Sequence, residues 1–144
     1  MLLWINGPFG GGKSQTAREL HSRLAASLIC DPELLGSGLH RMLPPQLRGD
    51  FQDFPAWRQG VYEVLDLILR SADGTVIVPM TLVEPAYFAD IIGRLTDAGH
   101  DVRHFALLAD RHVIERRLRE RTIVHAIQRL RGQHVPLLDR KSVV

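Results

Sequence analysis

Residues 5–16 read INGPFGGGKSQT, and this stretch decides the fold. Gly7, Gly12, Lys13 and Ser14 complete the spacing G-x-x-x-x-G-K-[ST], which a chain of this length and composition produces by chance about 0.001 times. Its logic is electrostatic. Glycines let the backbone curl until successive N–H groups face one anion, and a helix starting there adds the positive end of its dipole. The apolar run LLWIN (2–6) before the loop reads as a strand, and SQTARELHSRLAAS (14–27) behind it begins a helical spacing of Ala17, Leu20, Leu24 and Leu28. Strand, glycine loop and helix form the setting that the motif requires. Gly7, Pro8, Phe9, Gly10, Gly11, Gly12, Lys13, Ser14 and Gln15 are therefore expected to bind nucleotide phosphates, with Lys13 on the β- and γ-phosphates and the Ser14 hydroxyl on Mg²⁺.

The rest of the chain repeats the alternation. SLIC (27–30) is predicted as a second strand, followed by a helix that Asp31 caps and Pro32 opens, with Pro44 and Pro45 closing it. Residues 55–72 place Val61, Leu65, Ile68 and Leu69 on one helical stripe, stopped by Asp73-Gly74. TVIVPM (75–80) is continuous and β-branched, as in a strand buried on both faces of a parallel sheet. A helix is predicted over 85–99 with Gly99 as its cap, and a fourth strand over 101–108. Two helical segments, 110–121 and 123–130, and a fifth strand, HVPLL (134–138), complete the pattern. Strands alternating with helices imply an α/β, three-layer P-loop NTPase fold with a parallel five-stranded sheet and helices on both faces.

A length of 144 residues suits one domain. The apolar content of 45% and charged content of 24% are ordinary for a globular chain. No apolar run is long enough to span a bilayer, and MLLWI lacks the basic flank of a secretion signal, so a cytoplasmic location is expected. The lone Cys30 excludes an internal disulfide and a cysteine zinc cage, and the seven histidines lack metal-binding spacing. Sixteen of the eighteen cationic residues are Arg, yet one of the two lysines falls where a phosphate loop needs it. The Arg-rich segment 110–121 has no interleaved aromatics, which argues against nucleic acid as a partner.

Four stretches in order, WINGPFGGGKSQTARELHSRL, CDPELLG, VPMTLVEPAYFADIIGRL and HFALLA, resemble the tunicamycin-resistance ATP-binding protein family. These are P-loop proteins of the nucleoside and nucleotide kinase-like group, and the resemblance runs from residue 1 to about 121. It implies strand order 2-3-1-4-5, ATP and Mg²⁺ as cofactors, and protection against a uridine-containing nucleoside antibiotic. Two activities fit that implication: a small-molecule kinase that moves the γ-phosphate of ATP to tunicamycin or a related nucleoside, and an ATP-dependent binding protein that sequesters the drug. Family members also run on through a longer lid and a further C-terminal helix, sometimes with a basic amphipathic tail. Residues of a lid and tail are thus expected beyond this sequence, with peripheral membrane association through such a tail.

Phosphoryl transfer needs cations around the γ-phosphate and a group that orients the attacking hydroxyl. Asp31, at the end of the second strand, is the candidate for the latter, beside its reading as a plain helix cap. Glu33 reads as solvated first-turn charge. The Asp that commonly ends a P-loop protein's hydrophobic strand to hold Mg²⁺ is absent; Thr81 stands near that place and is a candidate site residue. Arg117 and Arg121 share a helical face in a predicted lid (110–122) and are the candidates for closing on the transferring phosphate. The segment 31–62 is read as the acceptor-binding insertion, with Arg41, Phe51, Phe54, Trp57, Arg58 and Tyr62 as its polar and aromatic surface, Trp57 and Arg58 foremost.

Overall fold

The computed structural model describes the backbone of residues 1–130 and the side chains of residues 1–122. Its sheet is parallel, with β1 (Leu2–Asn6) between β3 (Thr75–Pro79) and β4 (Val102–Ala106), and β2 (Ser27–Ile29) on the far side of β3. The order is therefore 2-3-1-4 among the described residues; the predicted fifth strand at 134–138 lies outside them. Register is set at the centre, where Leu2 pairs with Val76 and with Val102. The two most continuous apolar runs of the sequence take the two central strands, because only there is a strand covered on both faces.

Side chains alternate across that sheet with period two. Val76 and Val78 join Leu2 and Trp4 on one face, under Trp57, Val61 and Leu65 of α3 (Pro55–Ser71) and Ile91 and Leu95 of the following helix. Ile77 and Ile5 face the other way, under Ala17 of α1 (Lys13–Arg23). A second helix, α2 (Glu33–Met42), follows β2, and two 3₁₀ turns, Pro45–Leu47 and Phe51–Asp53, lead from it to α3.

Two local expectations are corrected, and one, the helix over 85–99, is borne out with a π turn inside it. α1 stops at Arg23 because the chain turns through Ala26 in a left-handed conformation (φ 53°), which moves Leu28 out of the helical stripe and into β2. The helix over 85–99 is α4 (Pro85–Phe88), a π turn (Ala89–Gly93) and α5 (Arg94–Asp97), with Gly99 just beyond at positive φ. The segments 110–121 and 123–130 form one helix, α6 (Arg111–Leu130), since RERTIVHAI contains no glycine or proline to break it. Among the described residues no helix is long and apolar enough to cross a membrane.

Candidate phosphate-binding site

Parallel strands deliver their carboxyl ends to one edge of the sheet, where open α/β folds bind ligands. Here β1 runs into Gly7–Gly12, β2 into Asp31, β3 into Thr81 and Leu82, and β4 into Leu107. The loop is anchored first by Asn6, a buried polar residue that the motif does not include. Its Oδ1 accepts from the Gly7 N–H (2.9 Å) and the Leu82 N–H (3.0 Å), while Nδ2 donates to the Leu82 carbonyl (2.6 Å) and lies 3.3 Å from His104 Nε2. One carboxamide thereby ties the ends of β1 and β3 together. A polar residue interrupting an otherwise apolar strand was the signal for it.

Lys13 opens α1 with its side chain folded back into the loop, 9% exposed. Nζ donates to the carbonyls of Gly7 and Pro8, both at 3.0 Å. Burial pushes its ammonium below the ordinary lysine value, with Glu33 opposing and Arg121 adding to the fall. A desolvated cation satisfied by neutral carbonyls is a fitting partner for phosphate oxygens. Pro8, Phe9, Ser14 and Gln15 are exposed around it, and Ser14 sits in the first turn of α1.

α6 lies against this loop. A Cβ added at Gly10 would come within 3.2 Å of the Leu118 side chain, and one added at Gly12 within 3.1 Å of Arg117 Nη1. Gly12 also has φ of 94°, a conformation that other residues adopt only at a cost. Arg117 is therefore at the loop, and Arg121 is near enough to act on the charge of Lys13. Of the two arginines singled out from helical spacing, Arg117 reaches the glycine loop and Arg121 lies within electrostatic reach of Lys13.

Asp31 follows β2 at the same sheet edge, and Glu33 opens α2 near enough to act on the charge of Lys13. Asp31 Oδ1 accepts from the Glu33 N–H at 3.0 Å, so its capping reading is realised with one carboxylate oxygen. Glu33 is exposed in the first turn of α2, as the sequence suggested, and it is also within reach of neighbouring charges. Partial desolvation and the Asp31 carboxylate push its carboxyl above the ordinary value, while Lys13 pulls it down. Thr81 closes the ring of contacts: its hydroxyl donates to the Gly7 carbonyl at 2.8 Å, and its own carbonyl accepts from Gln52 Nε2 at 2.8 Å.

The remaining candidates are not assembled at the loop. Trp57 is 0% exposed, its indole N–H donating to the Pro32 carbonyl at 3.0 Å and its ring 5.2 Å from Phe51. It is a core residue with no face for a ligand, which corrects its assignment as a stacking surface. Arg58 is bound to Asp90 Oδ2 at 2.8 Å and to the Gln52 carbonyl, over the Tyr87 ring. It lines an open cavity of about 460 Å³ with Pro55, Ala56, Gln59, Asp90 and Arg94, none of them loop residues. Arg41 is exposed in the last turn of α2.

The fold and loop have known counterparts. A family model described as an AAA domain matches residues 2–131. The tunicamycin resistance protein of Deinococcus radiodurans is similar at 36% identity over 91% of this chain and 80% of that one, with a TM-score of 0.72. At fold level the chain is similar to the APS kinase of Mycobacterium tuberculosis, solved with AMPPNP and APS (21% identity, 97% and 83% of the two chains, TM-score 0.58). A sugar kinase from Janibacter sp. HTCC2649 is similar in the same sense (15% identity, 99% and 83%, TM-score 0.59). No curated protein sequence matches.

Proposed function

On the premise that the chain belongs to the AAA-domain family of P-loop proteins, as kin of the tunicamycin resistance protein, we propose that it is an ATP-dependent small-molecule kinase of the cytoplasm that acts on tunicamycin or a related nucleoside antibiotic. The observation that carries this reading is Lys13, a buried cation held in a glycine loop by two carbonyls. Such a group is stabilised when phosphate oxygens replace neutral acceptors.

In this reading the loop from Gly7 to Gln15 holds the triphosphate, with Lys13 on the β- and γ-phosphates. Mg²⁺, held by the exposed Ser14 hydroxyl, phosphate oxygens and water, would neutralise charge on the phosphates. The chain acts as one domain, in which 31–62 forms the acceptor side and 110–122 the lid. A hydroxyl of the acceptor attacks the γ-phosphorus, its proton passes to Asp31, and the bond from the γ-phosphorus to the bridging oxygen breaks to release ADP. Arg117 and Arg121 take up charge on the phosphoryl group in flight. Arg41 and Arg58 are carried as acceptor contacts, Arg58 requiring release from Asp90 to serve.

Two observations favour a second reading, sequestration without chemistry. Asp31 already spends an oxygen on the Glu33 N–H, and β3 ends without the carboxylate that would share Mg²⁺. Incubation of the protein with Mg-ATP and tunicamycin, followed by mass spectrometry of the drug, separates the two. Drug carrying one extra phosphate supports the kinase, and measurable drug binding with no product supports sequestration.

A further inference from the structure

Two arginines meet in the open cavity of about 460 Å³ that α3 forms with the π turn and α5, apart from the phosphate loop. Arg58 is committed on two sides: Nε donates to Asp90 Oδ2 at 2.8 Å and Nη1 to the Gln52 carbonyl, with the guanidinium 4.3 Å from the centroid of the Tyr87 ring. Arg94 donates from Nη1 to Gln59 Oε1 at 2.6 Å and lies 3.8 Å from the centroid of the Tyr62 ring. Among the described residues no carboxylate pairs with Arg94. Asp90 stands one turn before it, but that carboxylate is on Arg58. A guanidinium carries five N–H donors. Arg58 Nη2 and Arg94 Nε and Nη2 therefore make no hydrogen bond to the described residues.

We propose that this cavity binds a small organic acid by its carboxylate, at a site separate from the phosphate loop. Charge sets the class. Two guanidinium groups and the Asp90 carboxylate leave an excess of one positive charge, which a monoanion cancels; a phosphate dianion would exceed it and meet repulsion from Asp90. Geometry points the same way, because the guanidinium fork matches the two oxygens of a planar carboxylate. Stacking on Tyr62 and Tyr87 holds both side chains before a ligand arrives, so little rotamer freedom is lost on binding. Pro55 and Ala56 add an apolar stretch of wall for a short aliphatic stem, and the volume lies in the range of small-molecule sites. Arg58 serves here without leaving Asp90, so the site depends neither on its role as an acceptor contact nor on the kinase reading.

Hexanoate, hexanamide and inorganic phosphate test this, each titrated into the isotope-labelled protein and followed by NMR. Hexanoate should shift the Nε–H signals of Arg58 and Arg94 and the Ala56 amide with a dissociation constant of about 1 mM, and leave residues 7–14 unmoved. Hexanamide keeps the size without the charge, and phosphate keeps the charge without the stem; each should bind at least about tenfold more weakly. Arg94→Gln should weaken hexanoate about tenfold, its amide spectrum away from the cavity reporting an intact fold. No shift at about 50 mM hexanoate, hexanamide or phosphate binding as well as hexanoate, shifts in the loop in place of the cavity, or full affinity in a folded Arg94→Gln would each overturn the proposal. The comparison of hexanoate with hexanamide is made on wild type, so it decides the matter even where the variant does not fold.

Discussion

Replacing Lys13 with methionine should stabilise the ligand-free protein while destroying its nucleotide binding. The ammonium is 9% exposed and bonds two neutral carbonyls, and burial holds its pKa below the ordinary 10.5. A base whose pKa falls on folding binds its proton less well folded than unfolded, so below both values the charge opposes folding. Methionine removes two charge-assisted hydrogen bonds of about 1.5–3 kcal/mol each, together with a desolvation penalty of several kcal/mol. Neither carbonyl is orphaned: Gly7 retains Thr81 and Pro8 retains the Gly11 N–H. A net gain of about 1 kcal/mol, or about 3 °C in a chain of this length, is expected.

Thermal melts with and without Mg-ATP check this. Nucleotide at a hundred times Kd should stabilise wild type by about 2.7 kcal/mol, or about 9 °C, and leave the variant unmoved. The expected order is wild type with ATP, then Lys13→Met in either condition, then ligand-free wild type. The gap between the ligand-free proteins should close as pH rises from the lowered pKa of Lys13 toward 10.5, where wild type sheds the charge. A ligand-free variant melting below wild type at pH 7 would refute the reasoning, since the carbonyl bonds would then outweigh desolvation. A variant that still responds to ATP would remove Lys13 from the phosphates.

Four further predictions follow from individual contacts. Asn6→Ala strips partners from the Gly7 and Leu82 N–H groups and the Leu82 carbonyl and should cost about 3 kcal/mol in urea unfolding; a loss under 1 kcal/mol would mean the clamp is dispensable. Trp57→Phe loses the bond to the Pro32 carbonyl and should cost about 1–2 kcal/mol of stability with tunicamycin affinity unchanged, whereas weaker drug binding at full stability would restore Trp57 to the acceptor site. Arg117→Ala and Arg121→Ala should each lower kcat about a hundredfold with Mg-ATP affinity within about threefold, and near-normal turnover in the double variant would confine both to the surface of α6. Asp31→Asn should abolish transfer and leave drug binding intact; full-rate transfer would reduce Asp31 to a helix cap.

The sequence announces contributions that are local. The runs at 2–6 and 75–80 become the central strands because continuous apolar character has a direct physical reading, burial on both faces. The glycine loop is legible because its function is a backbone shape encoded by adjacent residues. Pairings across the fold carry no such local mark. Thr81 and Gly7 are 74 residues apart, Asn6 and Leu82 are 76 apart, and a strand-end hydroxyl or amide gives no hint of which carbonyl it meets. The aromatics of 51–62 mislead for the complementary reason. Composition does not distinguish a ring that fills a core from one that lines a pocket, and Trp57 fills the core with Phe51 against it.

Under the proposed reading, the cations around the loop would favour a polyanion there. Lys13 is lowered by Arg121 as well as by burial, so these two cations repel each other in the ligand-free protein, with Arg117 close by at Gly12. Glu33 opposes this, and its pull on Lys13 is the larger of the two charge effects, while burial keeps the net shift downward. A triphosphate in the loop would turn the mutual repulsion of Lys13 and Arg121 into shared attraction to the same group, at low dielectric, where the change is largest. The same exchange would draw α6 more firmly onto the loop, since its arginines would then face phosphate oxygens in place of another cation. On the proposed reading, binding a nucleotide and holding α6 on the loop would be one electrostatic event.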